Sequence, residues 1–277
     1  MSAVRPLRQD RGATILRLVL PVSGVRATVQ APTGAEELLL AEGRPSDPAL
    51  ALALVRRIAR ADDPMDWGML PVHDIDTLIV RLRQAQIGDH VMTDIACTRP
   101  GCGQRVDMSF GLGDYLMHNR PRQPRGRSWR AEPCADAAGW FQLAGDAGAV
   151  PFRLPTIGDQ IEVAGAADAS TALAARCIRT DALPVRLSRR IEAAMEALAP
   201  PLAGPLQGRC PECSATIEAW FDARTYCLTE LCARARFVFD DIHLLAERYH
   251  WSERAILRLP RTRRERYAER ARLAGAA

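Results

Sequence analysis

Two stretches decide how this chain reads: Ile95–Tyr115, IACTRPGCGQRVDMSFGLGDY, and Gly208–Tyr226, GRCPECSATIEAWFDARTY. With Cys102 set against Cys213, Val106 meets Ile217, Asp107 meets Glu218, Phe110 meets Phe221 and Tyr115 meets Tyr226, all at an offset of 111. Upstream, an offset of 113 pairs Cys97 with Cys210 and Leu70-Pro71-Val72 with Leu183-Pro184-Val185. It also pairs Leu78, Leu82 and Ala85 with Ile191, Met195 and Leu198, one apolar helical stripe in each copy. Further up, Ala31-Pro32-Thr33-Gly34 echoes Leu154-Pro155-Thr156 and Gly158, and Ala51–Ala59 echoes Ala172–Thr180. So many landmarks in one shared order make chance a poor account. The chain reads as two copies of one unit plus a tail.

Each unit reads as a strand, a Pro-Thr turn, a helix, a second helix after Leu-Pro, a cysteine pair and a closing strand. The closing strands rest on alternation: Val106, Met108 and Phe110, then Ile217, Ala219 and Phe221. The expected fold is α+β, with internally duplicated helix-plus-strand units joined by a four-cysteine, zinc-ribbon-like site and a C-terminal helical tail. The expected boundaries are 1–118 for the first unit, 119–138 for an Arg/Pro-rich linker, 139–226 for the second unit and 227–277 for the tail.

Cys97-x4-Cys102-Gly103 and Cys210-Pro211-Glu212-Cys213 are each half of a metal site. Two thiols across a tight turn can face one ion, and zinc closes its shell with four such ligands. The duplication supplies both halves, so Cys97, Cys102, Cys210 and Cys213 are expected to hold one structural Zn2+ per chain. Such a closed shell leaves no position for a reacting water. A redox C-x-x-C pair is the competing reading, although Cys210 does not open an obvious helix after a thioredoxin-like strand. Cys134, Cys177, Cys227 and Cys232 are expected to act as small apolar side chains.

In the tail, Leu228, Leu231, Ala235, Val238, Ile242, Leu245 and Tyr249 follow steps of three and four, a seam that predicts one long helix from Thr225 to about Arg248. Ser252 is a plausible cap for a short helix, and Pro260 opens an Arg-dense last one. A composition break near Tyr249 suggests that the residues after it can be removed without unfolding the body. The partner-binding surface is expected at Tyr249, His250, Trp251, Arg258, Arg263, Arg264 and Tyr267. Arg favours protein interfaces, and these aromatics are not interleaved as a base-stacking platform.

Composition sets the outer limits. The 277 residues are 48% hydrophobic and 25% charged, which rules out wholesale disorder. No apolar run approaches the ~20 residues of a membrane span. The opening MSAVRPLRQDRG has no apolar core of a secretory signal, so a cytosol-like place of synthesis is expected and disulfides are disfavoured. The net charge is +4, every basic residue is Arg, and the positive charge gathers in residues 119–130 and 248–272. Two basic appendages on a mildly acidic body suit an acidic partner. The five histidines show no metal spacing, and no nucleophile elbow, phosphate loop or dinucleotide fingerprint occurs. The expectation is therefore a protein that is not an enzyme.

Taken together, LPVSG (20–24), APTGAEELLL (31–40), DIDTLIVRLR (74–83), FRLPTIGDQ (152–160), CPEC (210–213) and YHWSERAILRLPRTRRERY (249–267) resemble the T4-type bacteriophage baseplate hub proteins and their relatives in contractile tails and contractile injection systems. The resemblance covers nearly the whole chain. The x4 spacing of the first cysteine pair departs from a plain C-x2-C. The resemblance implies a structural or assembly component of the baseplate, with hub, spike and wedge proteins as partners. It also implies a particle-associated location after synthesis in the bacterial cytoplasm. The rival is a zinc-ribbon nucleic-acid-binding protein that uses the Arg-rich linker and tail on phosphates.

Overall fold

The computed structural model describes residues 14–123, 129–145, 150–180 and 184–275. Thr14–Val19 (β1) and Arg26–Gln30 (β2) form a hairpin, followed by Gly34–Glu42 (α1) and Pro48–Ile58 (α2). Ala59–Ala61 (β3) completes this sheet in the order β1-β2-β3. After a single 3-10 turn come Val72–Gln86 (α3), the hairpin His90–Ala96 (β4) with Arg105–Gly111 (β5), and Leu112–His118 (α4). Trp129–Pro133 (β6), Trp140–Gly145 (β7) and Phe152–Arg153 (β8) make a second three-stranded sheet. Ile157–Val163 (α5), Ala169–Cys177 (α6) and Val185–Leu198 (α7) follow. The hairpin Ala203–Arg209 (β9) with Thr216–Asp222 (β10) then leads into Ala223–Ala235 (α8). Phe237–Tyr249 (α9), Glu253–Leu257 (α10) and Arg261–Gly275 (α11) close the chain.

The order of elements from β1 to α4 returns from β7 to α8. Even the short β3, paired to β2, has a counterpart in the single bridge between Ile178 and Phe152. Strand β6 has no counterpart among the described residues. It lies inside 119–138, the stretch expected to be a linker, because Ala131 turns inward onto the sheet's core while its Arg and Pro neighbours mask the alternation. The rest of that basic stretch, residues 124–128, falls outside the described residues. Strands β4 and β9 were likewise not expected. Each precedes its cysteine turn, and Gly204, Pro205 and Gly208 hide the second.

Helix α3 is the centre of the larger core. Ile75, Leu78, Ile79, Val80 and Leu82 are buried in it, with α8 on one side and α2 on another. Five of its polar residues are buried too, and a buried polar group calls for a partner; Thr77 Oγ1 has none among the described residues, and the other four find theirs. The Asp74 carboxylate accepts from the Val22 and Ser23 N–H groups at 3.0 and 2.9 Å, which pins the LPVSG turn. His73 Nδ1 lies 2.6 Å from the Pro200 carbonyl. Asp76 meets Arg224 at 3.0 Å, and Arg224 also donates to Gln160. Arg83 donates to Glu230 at 2.7 Å and to the carbonyls of Gly88 and His90. The DIDTLIVRLR segment is thus a buried helix whose charges tie down three other stretches of chain: the LPVSG turn, residues 88–90 and α8.

The tail is part of the body. Its helix is divided at Arg236 into α8 and α9, although the apolar seam runs on through the break: Leu228, Leu231, Ala235, Val238 and Leu245 are all buried. The break lets α8 lie along α3 while α9 turns onto α1 and α11. Arg264, expected on the partner-facing surface, is instead 1% exposed, paired to Glu37 and, at 2.9 Å, to Asp241. Arg261 reaches the same Glu37 at 3.5 Å. Gly34 makes room for this contact, since a Cβ there would stand 2.8 Å from the Leu257 backbone. Two motifs more than 200 residues apart, APTGAEELLL and LPRTRRERY, therefore form one joint. The composition break at Tyr249 follows the Arg content of an ion network, and α11 is built into the core of the joint.

Two outcomes follow from these buried groups. Arg264→Ala leaves Glu37 and Asp241 buried without their main cation and is expected to cost about 3–5 kcal/mol in urea denaturation. Truncation after Tyr249 removes the same cation and should lower the unfolding midpoint of what remains. The second outcome concerns Asp76, whose carboxyl burial pushes up to about 7, with Asp222 adding to the rise and Arg224 opposing it. A raised folded-state pKa gives stability that is full below the unfolded value near 4 and is lost as pH rises to about 7. Asp76→Asn should remove that decline, so the difference in unfolding free energy between variant and wild type should grow between pH 5 and 8.

Candidate metal centre

The cysteine turns close the hairpins β4–β5 and β9–β10. In the first, the Cys97 N–H donates to Gln104 O at 2.8 Å. Gly101 and Gly103 take positive φ (+81° and +61°), which lets four residues fit between the thiols without splaying them. In the second, the Cys210 N–H donates to Ala215 O at 2.9 Å, and Ser214 supplies the left-handed residue at φ 56°. The longer first loop thus ends in the same kind of hairpin register as the shorter second one.

The two turns meet. Cys97 Sγ lies 3.7 Å from Cys213 Sγ, and Cys102 Sγ lies 3.8 Å from Cys210 Sγ. All four sulfurs fall within 4.8 Å of one another. Four sulfurs about 2.3 Å from a tetrahedral ion stand about 3.8 Å apart, so both short edges already have the length that a zinc–thiolate tetrahedron requires. These separations are far beyond a disulfide's ~2 Å. Backbone N–H groups two residues on bond three of the sulfurs: Arg99 to Cys97, Gln104 to Cys102 and Ala215 to Cys213. The Ala215 contact and the neighbouring thiols hold Cys213 down to about 7, so one member of the set forms thiolate readily. The Arg99 guanidinium donates to Cys213 O at 2.9 Å and latches one turn to the other. Ile95, Val106 and Ile217 pack around the cluster, in which Cys97 and Cys210 are buried and Cys102 and Cys213 half-buried.

The pairing is reciprocal: the first cysteine of each turn meets the second of the other. The same relation recurs one layer down. Phe110 and Phe221, aligned at the offset of 111, pack edge to face at 5.1 Å, flanked by Tyr115 and Tyr226. An isolated two-stranded hairpin is marginal in water. Here two hairpins share a sulfur cluster at their tips and an aromatic cluster at their bases.

The remaining cysteines stand apart. Cys177, Cys227 and Cys232 are buried, Cys134 is half-buried, and no disulfide joins any of the eight. Burial pushes the Cys227 thiol up to about 12 and the Cys177 thiol up to about 11, which keeps both protonated and unreactive.

Of the residues expected to bind partners, Arg258, Arg263 and His250 are exposed. Tyr249, Trp251 and Tyr267 are half-buried and pack on one another, with ring centres 5.0–6.2 Å apart, over Leu245, Ile256 and Ala268. They form the small core of the tail.

Sequence reasoning missed a second polar centre, built by Asp159. Its carboxylate closes the Thr156 cap and takes Arg153 at 2.5 and 2.7 Å and Arg176 at 2.8 Å. Burial works to raise this carboxyl, but the two arginines and Thr156 outweigh it and hold it well below the usual range. The capping-box spacing Thr-x-x-Asp was its only signal in the sequence.

Compared with known proteins, the chain matches no family model, no curated protein and no solved structure. Its metal chemistry can be tested directly. Replacing Cys97, Cys102, Cys210 or Cys213 by Ser, one at a time, should cut bound metal at least severalfold. Cys177→Ser and Cys227→Ala should leave the metal-to-protein ratio of the purified chain unchanged, as read by elemental analysis.

Proposed function

We propose that this chain is a non-catalytic structural or assembly component of a contractile-tail or injection-system baseplate, in the hub region, and that it carries one structural Zn2+. The observation that carries the reading is the reciprocal meeting of the two cysteine turns. Four thiolates close the shell, so the ion would supply rigidity and no chemistry. A staple between residues some 110 apart contributes to folding directly, because the unfolded chain holds no preformed site.

The same reading takes in an ancestral duplication of one unit. The repeated element order, the aligned landmarks and the contacts between equivalent residues (Phe110 with Phe221, each cysteine turn with the other) support it. The tail joint then holds the far end of the first unit. The result is a rigid body of fixed angle, suited to bridging neighbouring subunits, and the motifs from LPVSG to the final RRERY are those that resemble baseplate hub proteins. A zinc-ribbon nucleic-acid binder is the rival class, and exposed Arg258 and Arg263 would serve it.

Elemental analysis of the folded chain should return one zinc per chain. Co-expression with the hub, spike and wedge proteins of the same gene cluster should give a stable complex for the wild type. A quadruple Cys→Ser variant should lose most of that complex. A chain that stays out of the complex but binds nucleic acid with a steep dependence on salt would establish the rival.

A further inference from the structure

A cavity of about 190 Å3 lies between the first turns of α3, helices α5 and α6, and the segment 199–202 that leads into β9. Val72, Pro155, Leu173 and Leu202 give it apolar walls. A cavity of about 150 Å3 is enough to hold a benzene-sized molecule. The polar part of the lining is gathered around one guanidinium. Arg224 Nη1 donates to Asp76 Oδ1 and to Gln160 Oε1, both at 3.0 Å, and His73 and Asp222 complete the lining beside them. None of these residues belongs to the cysteine cluster or to the tail joint.

Two of the lining side chains are more than nine-tenths buried, and each keeps an acceptor that no described residue fills. His73 is 4% exposed and Asp76 6%. The Pro200 carbonyl can only accept, so His73 Nδ1 carries the ring proton and Nε2 presents a lone pair. No hydrogen bond reaches Nε2, and Asp76 meets Arg224 through Oδ1 alone, which leaves Oδ2 unpaired. Neither atom is sealed off: among the described residues, the fully enclosed side-chain atoms without partners are Thr77 Oγ1 and Arg264 Nη1. Each Asp222 oxygen accepts once, from Thr225, and keeps a second acceptor position. The charges are unequal as well. Two carboxylates face one guanidinium, so the cavity lacks a positive charge and would repel an anion.

We propose that this cavity binds a primary ammonium group on a short apolar stem, carried by a free amine or by a lysine side chain of a partner. The head group brings three N–H donors to the open acceptors of His73, Asp76 and Asp222 and supplies the missing positive charge. The stem lies against Pro155, Leu173 and Leu202. Binding is linked to the ionisation of Asp76, whose carboxyl burial pushes up to about 7, with Arg224 opposing the rise and Asp222 adding to it. The other titratable groups facing Asp76 are Tyr115 of α4 and Cys227 of α8, both pushed up to about 12 and so uncharged at neutral pH. His73, on the same helix, is held by burial below the usual histidine range and stays neutral there too. An arriving cation favours the Asp76 carboxylate, so binding releases a proton and tightens as pH rises from 6 to 8. The site goes beyond a structural role for the chain and rests on neither the metal nor the baseplate assignment.

The test titrates n-butylammonium chloride into the intact chain at constant ionic strength and follows the methyl resonances of Leu173 and Leu202. Saturable shifts with a millimolar Kd are expected at pH 8, and weaker binding at pH 6. Butanol, equal in length and uncharged, and butyrate should each bind at least tenfold more weakly. Asp76→Asn keeps an oxygen that accepts from Arg224. It should weaken butylammonium binding at least tenfold and remove its pH dependence. Leu173→Trp, at a half-buried position, fills the cavity and should abolish binding with the melting temperature unchanged. Calorimetry in two buffers of different ionisation enthalpy should register proton release for the wild type and none for Asp76→Asn. Nα-acetyl-lysine methylamide separates the two sources: binding as tight as that of butylammonium assigns the cavity to a lysine side chain, and its exclusion assigns the cavity to a free amine. Absence of shifts up to tens of millimolar butylammonium overturns the proposal. Equal binding of butanol overturns it as well, and so does binding that both variants leave unchanged.

Discussion

A charged group taken out of water must find its counterpart within the protein, and in this chain that requirement is concentrated in α3. Apolar burial alone would hold this helix in many rotations. Asp74, Asp76 and Arg83 allow one. Asp74 fixes the first hairpin turn, Asp76 reaches the start of α8 through Arg224, and Arg83 grips both the end of its own helix and Glu230 on α8. Breaking any of these pairs leaves a buried charge alone, which costs far more than the pair itself contributes. The helix thus aligns the second half of the chain against the first, and the two cysteine hairpins follow α3 and α7 at the same distance in sequence. Their meeting is a consequence of that alignment.

The sulfur cluster works at the other end of the same body. The hairpins β4–β5 and β9–β10 each have only two strands and little core of their own. Their tips are joined by thiols and their bases by four aromatic rings, so the pair behaves as one unit. A site of this kind has a structural logic: it contributes most where the covered hydrophobic area is smallest. The tail repeats the principle with ions in place of sulfur, using Arg264 to close Glu37 and Asp241 into a dry contact.

Much of this was legible before any coordinates. The cysteine set was readable because two diverged stretches could be aligned, and the alignment placed Cys102 and Cys213 in equivalent turns. Helices α3 and α7 announced themselves by apolar spacing, and α1 and α5 by the Pro-Thr turn before each. Strand β6 was hidden by five arginines and two prolines around it, and β9 by its glycines and proline. Arg264 was misread because an arginine in an Arg-rich run looks solvated. Nothing nearby in sequence marks Glu37 or Asp241 as its partners.

By itself the sequence determined what is local and periodic: which faces are apolar, where helices begin, and that two thiol pairs sit on equivalent turns. These follow from spacings of two to five residues, which the backbone geometry of strands, turns and helices translates directly. Only the tertiary structure decided which buried charge meets which, and that the tail belongs to the body. Those pairings span from about 20 residues, as for Asp241 with Arg264, to more than 200, as for Glu37 with Arg264. They arise from the cost of leaving a buried charge without its counterpart, and no local pattern in the chain encodes a demand of that kind.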